Sequence, residues 1–401
     1  MTQTKTLNWE WIVLAAAGTM MVTMGARQSL GLFIAPIDVS TGFGVAAISL
    51  SLAIAQFTWG AVQPIAGAIA DRYGPGRVIF GGLIVLALGS ALTPFVTTTG
   101  GLIATIGLVS ATGAGAASFS VLVGAASKLL PAEKRGFASG VINAGGSFGQ
   151  FVFAPILQGL IAFSGWMSAM WFVAVVAIAS LPVARLLRRP AEAAASPPPP
   201  GGLGGAVKSA LGDRSYILLH AGFFTCGFHI AFLVTHLPGE IALCGLSASV
   251  ASFSLAIIGL ANIMGSLAAG WSVGRFLSKH VLFWMYASPT LLILLYLAAP
   301  KTDATFYIFA GGLGATWLAT VSPTVTVVGK LFGPRYLSTL FGLTLLSHQI
   351  GAFFGAWLGG LAVVRFGNYD WMWYADAGLA LAAAFINLLI REPANAQAVA
   401  A

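Results

Sequence analysis

Twelve long apolar segments, separated by short polar turns, constrain the fold of this chain more than any other feature. A helix needs about 20 mostly apolar residues to cross the hydrocarbon core of a membrane. Segments of about that length or more occupy residues 11–36, 45–70, 78–97, 102–129, 137–163, 166–187, 216–238, 248–272, 281–299, 304–330, 338–364 and 370–390. Only 7% of the 401 residues are charged, whereas soluble domains average about 25%. The sequence therefore predicts an all-α polytopic membrane protein.

The predicted spans divide into two sets of six. Residues 188–214, between spans six and seven, include RRPAEAAASPPPPGG, a stretch too rich in proline and glycine to bury apolar surface. The loop GAIADRYGPGR (67–77) matches GWSVGRFLSKH (270–280) in the second set, and LLPAEKRGFASG (129–140) matches KLFGPRYLSTLFG (330–342). Parallel six-helix repeats are typical of rocking transporters. We expect bundles at 1–187 and 215–401, joined by a linker at 188–214.

The basic residues indicate how the chain is oriented. If the N-terminus is cytoplasmic, 16 of the 19 Lys and Arg residues lie on the cytoplasmic side. The positive-inside rule then places both termini in the cytoplasm of a multi-pass protein of the cell (inner) membrane. The net charge of +8 is explained by this placement, so a nucleic-acid partner is not expected. Cys226 and Cys244 lie in or beside apolar segments, and we expect no disulfide between them.

The loop after the second span carries a recognisable motif. It follows roughly the pattern G-x-x-x-D-R-x-G-x-R, with Gly67, Asp71, Arg72 and Gly74 in place and Arg77 one residue later. With twelve spans and a half-repeat, the chain resembles the major facilitator superfamily over nearly its whole length. The resemblance implies two six-helix pseudo-repeats that transport by alternating access.

Charged residues near the helix ends are candidates for gating. A carboxylate–guanidinium network of Asp71 with Arg72 and Arg77 could hold two helices together in one state and release them in another. Simple anchoring by positive charge is the alternative. Arg135 and Arg275, in related loops, are further gating candidates. In the second half Ser272 and Val273 stand where the acidic residue is expected, so a second network there should be weaker.

Four stretches resemble a bacterial branch of the superfamily related to monocarboxylate and oxalate porters. They are GARQSLGLFIAPI (25–37), PAEKRGFASG (131–140), CGFHIAFLVTHLP (226–238) and SHQIGAFFGAWLGG (347–360). The chain departs from well-known monocarboxylate carriers in span eight, where Asn262 and Ser266 replace an Asp and an Arg that those carriers often have. This departure puts their proton-coupling scheme and carboxylate anchor in doubt here.

Arg27 is the strongest candidate for substrate binding. It lies about 16 residues into the first predicted span, where a charged side chain costs roughly 2.5–3.5 kcal/mol unless it faces a cavity or a partner. Its guanidinium can bind a carboxylate through two parallel hydrogen bonds. In the resembled carriers a lysine at this place serves the carboxylate. A structural ion pair, or an outward reach toward Asp38, remains open as the alternative.

The buried histidines are the next candidates. His229 near the middle of span seven could donate to a carboxylate or carry a proton, because an imidazole titrates near neutral pH. His236 and His220 on the same span are weaker candidates. The resemblance implies an anion-binding role for His348 in span eleven, where oxalate-type porters place a basic residue. Ordinary packing is the alternative for each.

Neutral polar and aromatic side chains complete the candidate site. Polar groups in hydrocarbon need hydrogen-bond partners, and bonding between helices is their commoner use. Those in spans that could contact substrate are Gln28, Gln56, Asn143, Gln150, Asn262 and Gln349. Phe119, Trp59 and Trp317 could line an apolar pocket, although simple packing is the commoner role.

The acidic residues help to choose the substrate class. None of the eleven lies at mid-span, and Asp376 alone lies a short way into span twelve. A cavity with Arg27 and histidines but no central carboxylate favours an anion. We therefore expect a secondary transporter of a small organic anion, of the monocarboxylate class, driven by protons or by anion exchange.

Two alternatives remain open at this stage. One is an efflux antiporter for larger amphipathic compounds, suggested by the glycine-rich span five. The other is a membrane enzyme or sensor on a transporter fold, which the absence of a catalytic motif disfavours. We expect a monomer without cofactor or metal, surrounded by membrane lipid.

Overall fold

The computed structural model describes residues 9–129, 132–187, 202–273, 275–316, 318–332 and 337–392. Within these ranges, side chains are not described at 68, 71, 72, 124, 126–129, 132–137, 139, 202, 203 and 337–339. The described chain is helical without strands, and 11 of its helices are long and apolar enough to cross a membrane. Asp370–Leu388, with 19 residues, is the twelfth helix of the fold. The predicted all-α polytopic architecture is confirmed.

The helices follow the predicted spans closely. Helices one to six are Trp9–Gln28, Val45–Tyr73, Pro75–Leu92, Thr99–Leu129 in several pieces, Ala132–Ser164, and Trp166–Ala179 with Leu181–Leu186. Helices seven to twelve are Arg214–Leu243, Ala248–Val273, Ser278–Ala298, Asp303–Thr316 with Val321–Phe332, Leu337–Phe366 and Asp370–Leu388. We call the end of the bundle where helix six ends and helix seven begins the linker end, and the opposite end the far end.

The predicted linker contains a short helix in its described part. Residues 188–201 lie outside the described part of the chain. Gly202–Leu211 forms a short helix, and its Ala210 is fully buried against the core of helices seven to twelve. Ala210 lies beyond the stretch RRPAEAAASPPPPGG (188–202), so the expectation that this stretch buries no apolar surface stays a prediction.

Helix one is interrupted where the sequence predicts one continuous span. Its first part ends at Gln28, a 3-10 turn covers Leu30–Phe33, and a second helix covers Ile34–Thr41. Pro36 accounts for the restart, because proline has no N–H to donate and is tolerated in the first turn of a helix. The regular α-helix therefore ends one residue after Arg27.

Helices four and ten are interrupted at corresponding places. Helix four contains a π-helical stretch, Ile103–Ser110, and a break between Ala116 and Phe119. Helix ten breaks between Thr316 and Val321. Such irregular segments are frequent at functional sites. The matching breaks agree with the sequence repeat between the halves.

Glycines allow close helix packing within each set of six. A Cβ on Gly145 or Gly149 of helix five would strike the backbone of helix one at Ala17 or Met21. In the second set, a Cβ on Gly351 of helix eleven would strike helix seven at Phe224. Small residues let membrane helices approach closely. Gly145 and Gly149 of helix five therefore form a packing surface against helix one.

The two sets of helices meet closely at the far end. A Cβ on Gly31, just after the break in helix one, would strike the backbone carbonyls of Val234 and Thr235 in helix seven. A Cβ on Gly360 of helix eleven would strike the side chain of Ser49 in helix two. These contacts leave no room for a larger side chain, so the far end is closed along these helices.

The sets also meet near the middle of the bundle. The side chain of Gln349 in helix eleven fits against Gly60 of helix two, where a Cβ would strike it. The Nδ2 of Asn262 in helix eight donates to the Oγ of Ser147 in helix five at 2.8 Å. Helices two and eleven on one side, and five and eight on the other, therefore form the seams between the halves.

A carboxylate network stabilises the linker end of helices nine, ten and twelve. Glu392, beyond helix twelve, accepts hydrogen bonds from the backbone N–H groups of Ser278 and Lys279 at 3.0 and 2.9 Å. It also pairs with the Nζ of Lys330 at 2.5 Å. The acidic partner missing from the loop of the second half is thus replaced by one from the end of the chain. This network lies within the second set of helices.

We expect Glu392→Gln to lower thermal stability in a pH-dependent way. Burial favours a higher pKa for the Glu392 carboxyl, but hydrogen bonds from Lys330, Lys279 and Ser278 outweigh it, so this pKa lies below its usual value. The stabilisation is therefore present above the unfolded-state pKa and is lost as pH falls through the folded-state pKa. Losing the charged bonds should cost about 1–3 kcal/mol at neutral pH. Thermal unfolding of both proteins across pH should show the difference at neutral pH and its disappearance in acid; a difference independent of pH would contradict this origin.

Candidate functional site

Arg27 is buried at the end of the first part of helix one. Its Nη1 donates to the Oε1 of Gln28 at 3.4 Å, and its Nη2 donates to the Oε1 of Gln56 in helix two. The guanidinium also lies over the ring of Trp59, 4.1 Å from the ring centroid. Only 8% of the residue is exposed.

No carboxylate of the described residues forms an ion pair with Arg27. Asp38, the suggested alternative partner, instead accepts a hydrogen bond from the backbone N–H of Gly44 at 2.8 Å. Gln28 and Gln56 are neutral, so they orient the guanidinium without neutralising it. Arg27 thus keeps a positive charge in the middle of the bundle, an arrangement that favours an anionic ligand.

A cavity of about 40 Å³ lies beside Arg27 among helices one, two, three, four and six. A space of about 10–15 Å³ on this measure holds one water, so the cavity admits about three water-sized groups. Its polar lining consists of Thr23, Arg27, Gln56, Ser90 and Ser110, with the indole of Trp59. The apolar lining consists of Ala26, Leu30, Phe33, Ala55, Leu86, Ile106, Ala111, Ala114, Met170 and Val173.

Three buried hydrogen-bonding atoms of this lining lack a partner among the described residues. They are the Nε of Arg27, the Nε1 of Trp59 and the Oγ of Ser110. Buried polar groups without partners are rare and costly. Two of the three can only donate, and the hydroxyl can donate as well. A ligand with acceptor oxygens would satisfy them.

The irregular helices create this cavity. Arg27 lies one residue from the end of the first part of helix one, and Leu30 and Phe33 come from the 3-10 turn that follows. Ile106 and Ser110 come from the π-helical stretch of helix four. Continuous α-helices would direct these side chains differently, so the backbone breaks and the cavity belong together.

His348 and Gln349 approach Arg27 from the second half. The charge of Arg27 acts on the His348 ring, and the Nε2 of Gln349 lies 3.1 Å from the Nδ1 of His348. Because the amide donates, Nδ1 of His348 accepts and the ring proton is on Nε2. The Oε1 of Gln349 has no partner among the described residues. The structure therefore brings together six predicted residues: Arg27, Gln28, Gln56, Trp59, His348 and Gln349.

The other neutral candidates lie apart from this group. Asn262 is fully engaged, because its Oδ1 accepts from the backbone N–H of Leu318 at 2.9 Å while its Nδ2 bonds Ser147. Gln150 is buried at the contact between helices five and eight. Asn143 is half-buried in helix five, and Phe119 packs on the core of the first half. Substrate contact by these four stays a prediction.

His229 has an unforeseen partner. Its Nδ1 lies 2.6 Å from the Oδ2 of Asp376 in helix twelve, and Asp376 is fully buried. The expectation of histidines without a central carboxylate therefore needs correction, because helix twelve packs Asp376 beside helix seven. Among the described residues, the cation Arg27 of the first half has no carboxylate partner, whereas the second half contains a histidine–carboxylate pair.

The remaining histidines of helix seven have structural roles. His236 bonds the carbonyl oxygen of Ala356 through Nε2 at 2.6 Å, so its Nδ1 accepts from the hydroxyl of Tyr369 at 3.4 Å. The Nδ1 of His220 lies 2.6 Å from the Oγ of Ser347. Both interactions join helix seven to its neighbours in the second half.

The gating candidates are only partly described. Arg77 is exposed, and Arg275 is exposed with its guanidinium 3.9 Å from the ring centroid of Trp271. The side chains of Asp71, Arg72 and Arg135 lie outside the described part of the structure. A gating network among these residues stays a prediction.

A family comparison decides the class of the molecule. The model of the Major Facilitator Superfamily matches residues 16–356. The chain belongs to the major facilitator superfamily. Members of this superfamily are transporters and not enzymes, which disfavours the enzyme alternative. A solved bacterial homolog of the human lysosomal transporter Spinster, inward-facing and unoccupied, aligns with a TM-score of 0.71 and 16% identity, covering 97% of this chain and 96% of that one.

Several curated relatives match most of the chain. Monocarboxylate transporter 13 of Bos taurus is 26% identical over 377 residues, 90% of this chain and 84% of the relative. The oxalate:formate antiporter of Oxalobacter formigenes is 25% identical over 369 residues, 90% and 86% of the two chains. The fujikurins efflux protein of Gibberella fujikuroi is 24% identical over 317 residues, 77% and 65%. The predicted resemblance to the monocarboxylate and oxalate porter branch is confirmed.

Sequence reasoning missed Ser110 and Asp376 as members of polar sites. Ser110 is one serine in a glycine-rich helix, and only the π-helical stretch directs it to the cavity. The one available signal for Asp376 was its acidic side chain inside a predicted span.

Proposed function

We propose that this superfamily member transports a small monocarboxylate by alternating access, with Arg27 as the carboxylate anchor. The supporting observation is the buried guanidinium that has no carboxylate partner among the described residues and shares a cavity with two further unsatisfied donors, Trp59 and Ser110. A carboxylate neutralises Arg27 and supplies acceptors for these donors. The names of two relatives, a monocarboxylate transporter and an oxalate:formate antiporter, agree with an organic anion.

The shape of the cavity favours a short acid with one carboxylate. Apart from the polar groups, the cavity lining is apolar and includes Leu86, Ile106, Met170 and Val173. A second carboxylate placed against these side chains would lose its hydration without a compensating charge. In this state the space of about 40 Å³ admits only about three water-sized groups, so it favours a short acid over a large amphipathic compound.

The seams between the halves support a rocking mechanism. We propose that residues 1–187 and 215–401 move as two bundles about the anion site, with both termini and the linker end in the cytoplasm of the plasma membrane. The closed far end, at Gly31 and Gly360, then corresponds to an inward-facing state. An anion bridging Arg27 of one bundle and His348 of the other would favour closure around the substrate.

Uptake into proteoliposomes tests this function. Radiolabelled lactate, pyruvate and oxalate are supplied to purified protein with and without an inward proton gradient, and with and without internal anion. Stimulation by the gradient indicates proton-coupled transport, and uptake that needs internal anion indicates exchange. Saturable uptake of lactate or pyruvate supports the proposal. Absence of uptake for all three, with efflux of an amphipathic dye, would favour the efflux alternative.

Ala114→Leu should narrow the range of acids carried. Ala114 lines the cavity on helix four and is buried, so three added carbons would occupy the space for the substrate tail. Each methylene of a ligand in an apolar pocket contributes about 1–3 kcal/mol, so lactate uptake should fall at least about tenfold while formate is spared. Ala104→Leu, at an exposed position of the same helix, is the control. Equal loss of lactate and formate uptake would show that the substrate tail does not lie beside Ala114.

A further inference from the structure

A histidine–carboxylate pair is buried in the second half, away from the Arg27 cavity. The Nδ1 of His229 in helix seven lies 2.6 Å from the Oδ2 of Asp376 in helix twelve. The carboxylate is fully buried, and the imidazole is 9% exposed. The other carboxylate oxygen, Oδ1, accepts no hydrogen bond from the described residues.

In the described part of the structure, neutral side chains from three helices lie around the pair. Helix seven contributes the thiol of Cys226, whose Sγ lies 3.2 Å from the Oγ1 of Thr320 beside helix ten. Helix nine contributes the phenol of Tyr286, which interacts with Cys226. Helix eleven contributes His348, whose ring packs on Phe223 of helix seven. All these groups are neutral in their usual form, and no Lys or Arg among the described residues pairs with Asp376.

The charge of the pair therefore depends on protons. With one proton shared between imidazole and carboxylate, the pair is neutral overall. Without that proton it carries one negative charge, and the carboxylate of Asp376 is fully buried. A buried charge without a partner is strongly disfavoured, so a proton should enter or leave only when another charge in the core changes too.

We propose that His229 and Asp376 form the proton-carrying site of the transporter and that this proton is bound and released together with the anion at Arg27. With neither bound, the positive Arg27 balances the negative pair. With both bound, the anion neutralises Arg27 and the proton neutralises the pair. When only the anion or only the proton is bound, one unbalanced charge remains in the core. The protein can change between its inward-facing and outward-facing conformations when both or neither are bound, because the core is then neutral overall. This change is hindered when only one is bound, so one proton is transported with each monocarboxylate.

The proton balance closes without a further reactant. In each cycle the pair takes one proton from water on the side of higher proton concentration and releases it to water on the other side, along with one anion. His229, as the partly exposed member, exchanges the proton with water, and Asp376 stabilises the protonated imidazole. The anion's identity rests on the function proposed above, whereas the proton site rests on the geometry of the pair.

Two transport assays on purified protein in proteoliposomes test the coupling. Counterflow of radiolabelled pyruvate at equal pH needs no net proton movement, whereas uptake under an inward proton gradient does. We expect Asp376→Asn and His229→Gln to keep counterflow within threefold of wild type and to lose stimulation by the gradient. His220→Gln, which alters a histidine of the same helix that bonds Ser347, should behave as wild type in both assays. Gradient stimulation in Asp376→Asn equal to wild type would overturn the proposal.

Infrared spectroscopy tests the proton site independently of transport. Infrared difference spectra of the purified protein, recorded on a change of pH, should contain a carboxylic acid C=O band that disappears in Asp376→Asn and shifts in His229→Gln. A spectrum unchanged in both variants would overturn the proton site, even if pyruvate transport were normal. Failure of wild type to carry any acid, with the band present and sensitive to both variants, would refute the proposed function and leave the proton site standing. Wild-type counterflow without any gradient effect would refute the coupling while the anion function stands.

Discussion

Arg27→Gln should nearly abolish uptake of the transported acid. Glutamine keeps hydrogen-bonding capacity but removes the positive charge that neutralises the carboxylate. Losing charged hydrogen bonds costs about 1.5–3 kcal/mol, which corresponds to a roughly 10–100-fold weaker apparent affinity for the acid. Initial rates of lactate and pyruvate uptake, measured over a range of concentrations in proteoliposomes, give this change directly.

Two further variants test whether uptake depends on the guanidinium at position 27 or on any arginine of the protein. Arg27→Lys keeps the charge but loses the planar fork, so we expect intermediate affinity. Arg365→Gln removes an arginine that is exposed at the far end of helix eleven and should leave uptake unchanged. An Arg27→Gln protein with wild-type uptake kinetics would show that the anion is held elsewhere.

Gly31→Val should arrest the transport cycle with the far end open. In the present structure the new side chain would overlap the carbonyls of Val234 and Thr235, and backbone atoms cannot move aside cheaply. Overpacking of this kind costs about 1–3 kcal/mol, enough to depopulate the closed far end roughly 10–100-fold. Uptake should fall by at least about tenfold for every substrate, because the clash acts on the conformational change and not on one ligand.

Thiol labelling can identify the trapped state. Ser49 is fully buried against Gly360 at the far end, so a Ser49→Cys reporter should be protected from an impermeant thiol reagent unless that end opens. We expect rapid labelling in Gly31→Val and slow labelling in the parent, with both native cysteines replaced. Gly18→Val, on the same helix with no atom within 4 Å of the added Cβ, is the control. Protection of Ser49→Cys in Gly31→Val would contradict closure at Gly31.

Helix positions were predictable because each span is encoded locally. A run of about 20 apolar residues is sufficient to specify a membrane helix, whatever lies elsewhere in the chain. Arg27 was identifiable for the same reason, since a charged side chain inside such a run needs a partner or a cavity. The interruption after Gln28 was less evident, although Pro36 marks where the helix restarts.

Pairings between distant helices could not be inferred from one sequence. His229 and Asp376 are separated by 147 positions, and only the packing of helix twelve against helix seven brings them together. Ser110 and Trp59 depend on how irregular helix four faces helix two. Asn262 was identified as polar and buried, but its use as a bond to Ser147 across the seam is a property of the assembled halves.

Equilibrium binding of radiolabelled lactate and pyruvate to the purified protein tests directly whether Arg27 holds the carboxylate of the substrate. It needs no gradient, no orientation in the membrane and no complete transport cycle, so it reports on the anion site alone. Wild type should bind at least one of the two acids saturably, and Arg27→Gln should lose that binding while Arg365→Gln retains it. Equal binding by wild type and Arg27→Gln would contradict the assignment of Arg27 as the carboxylate anchor.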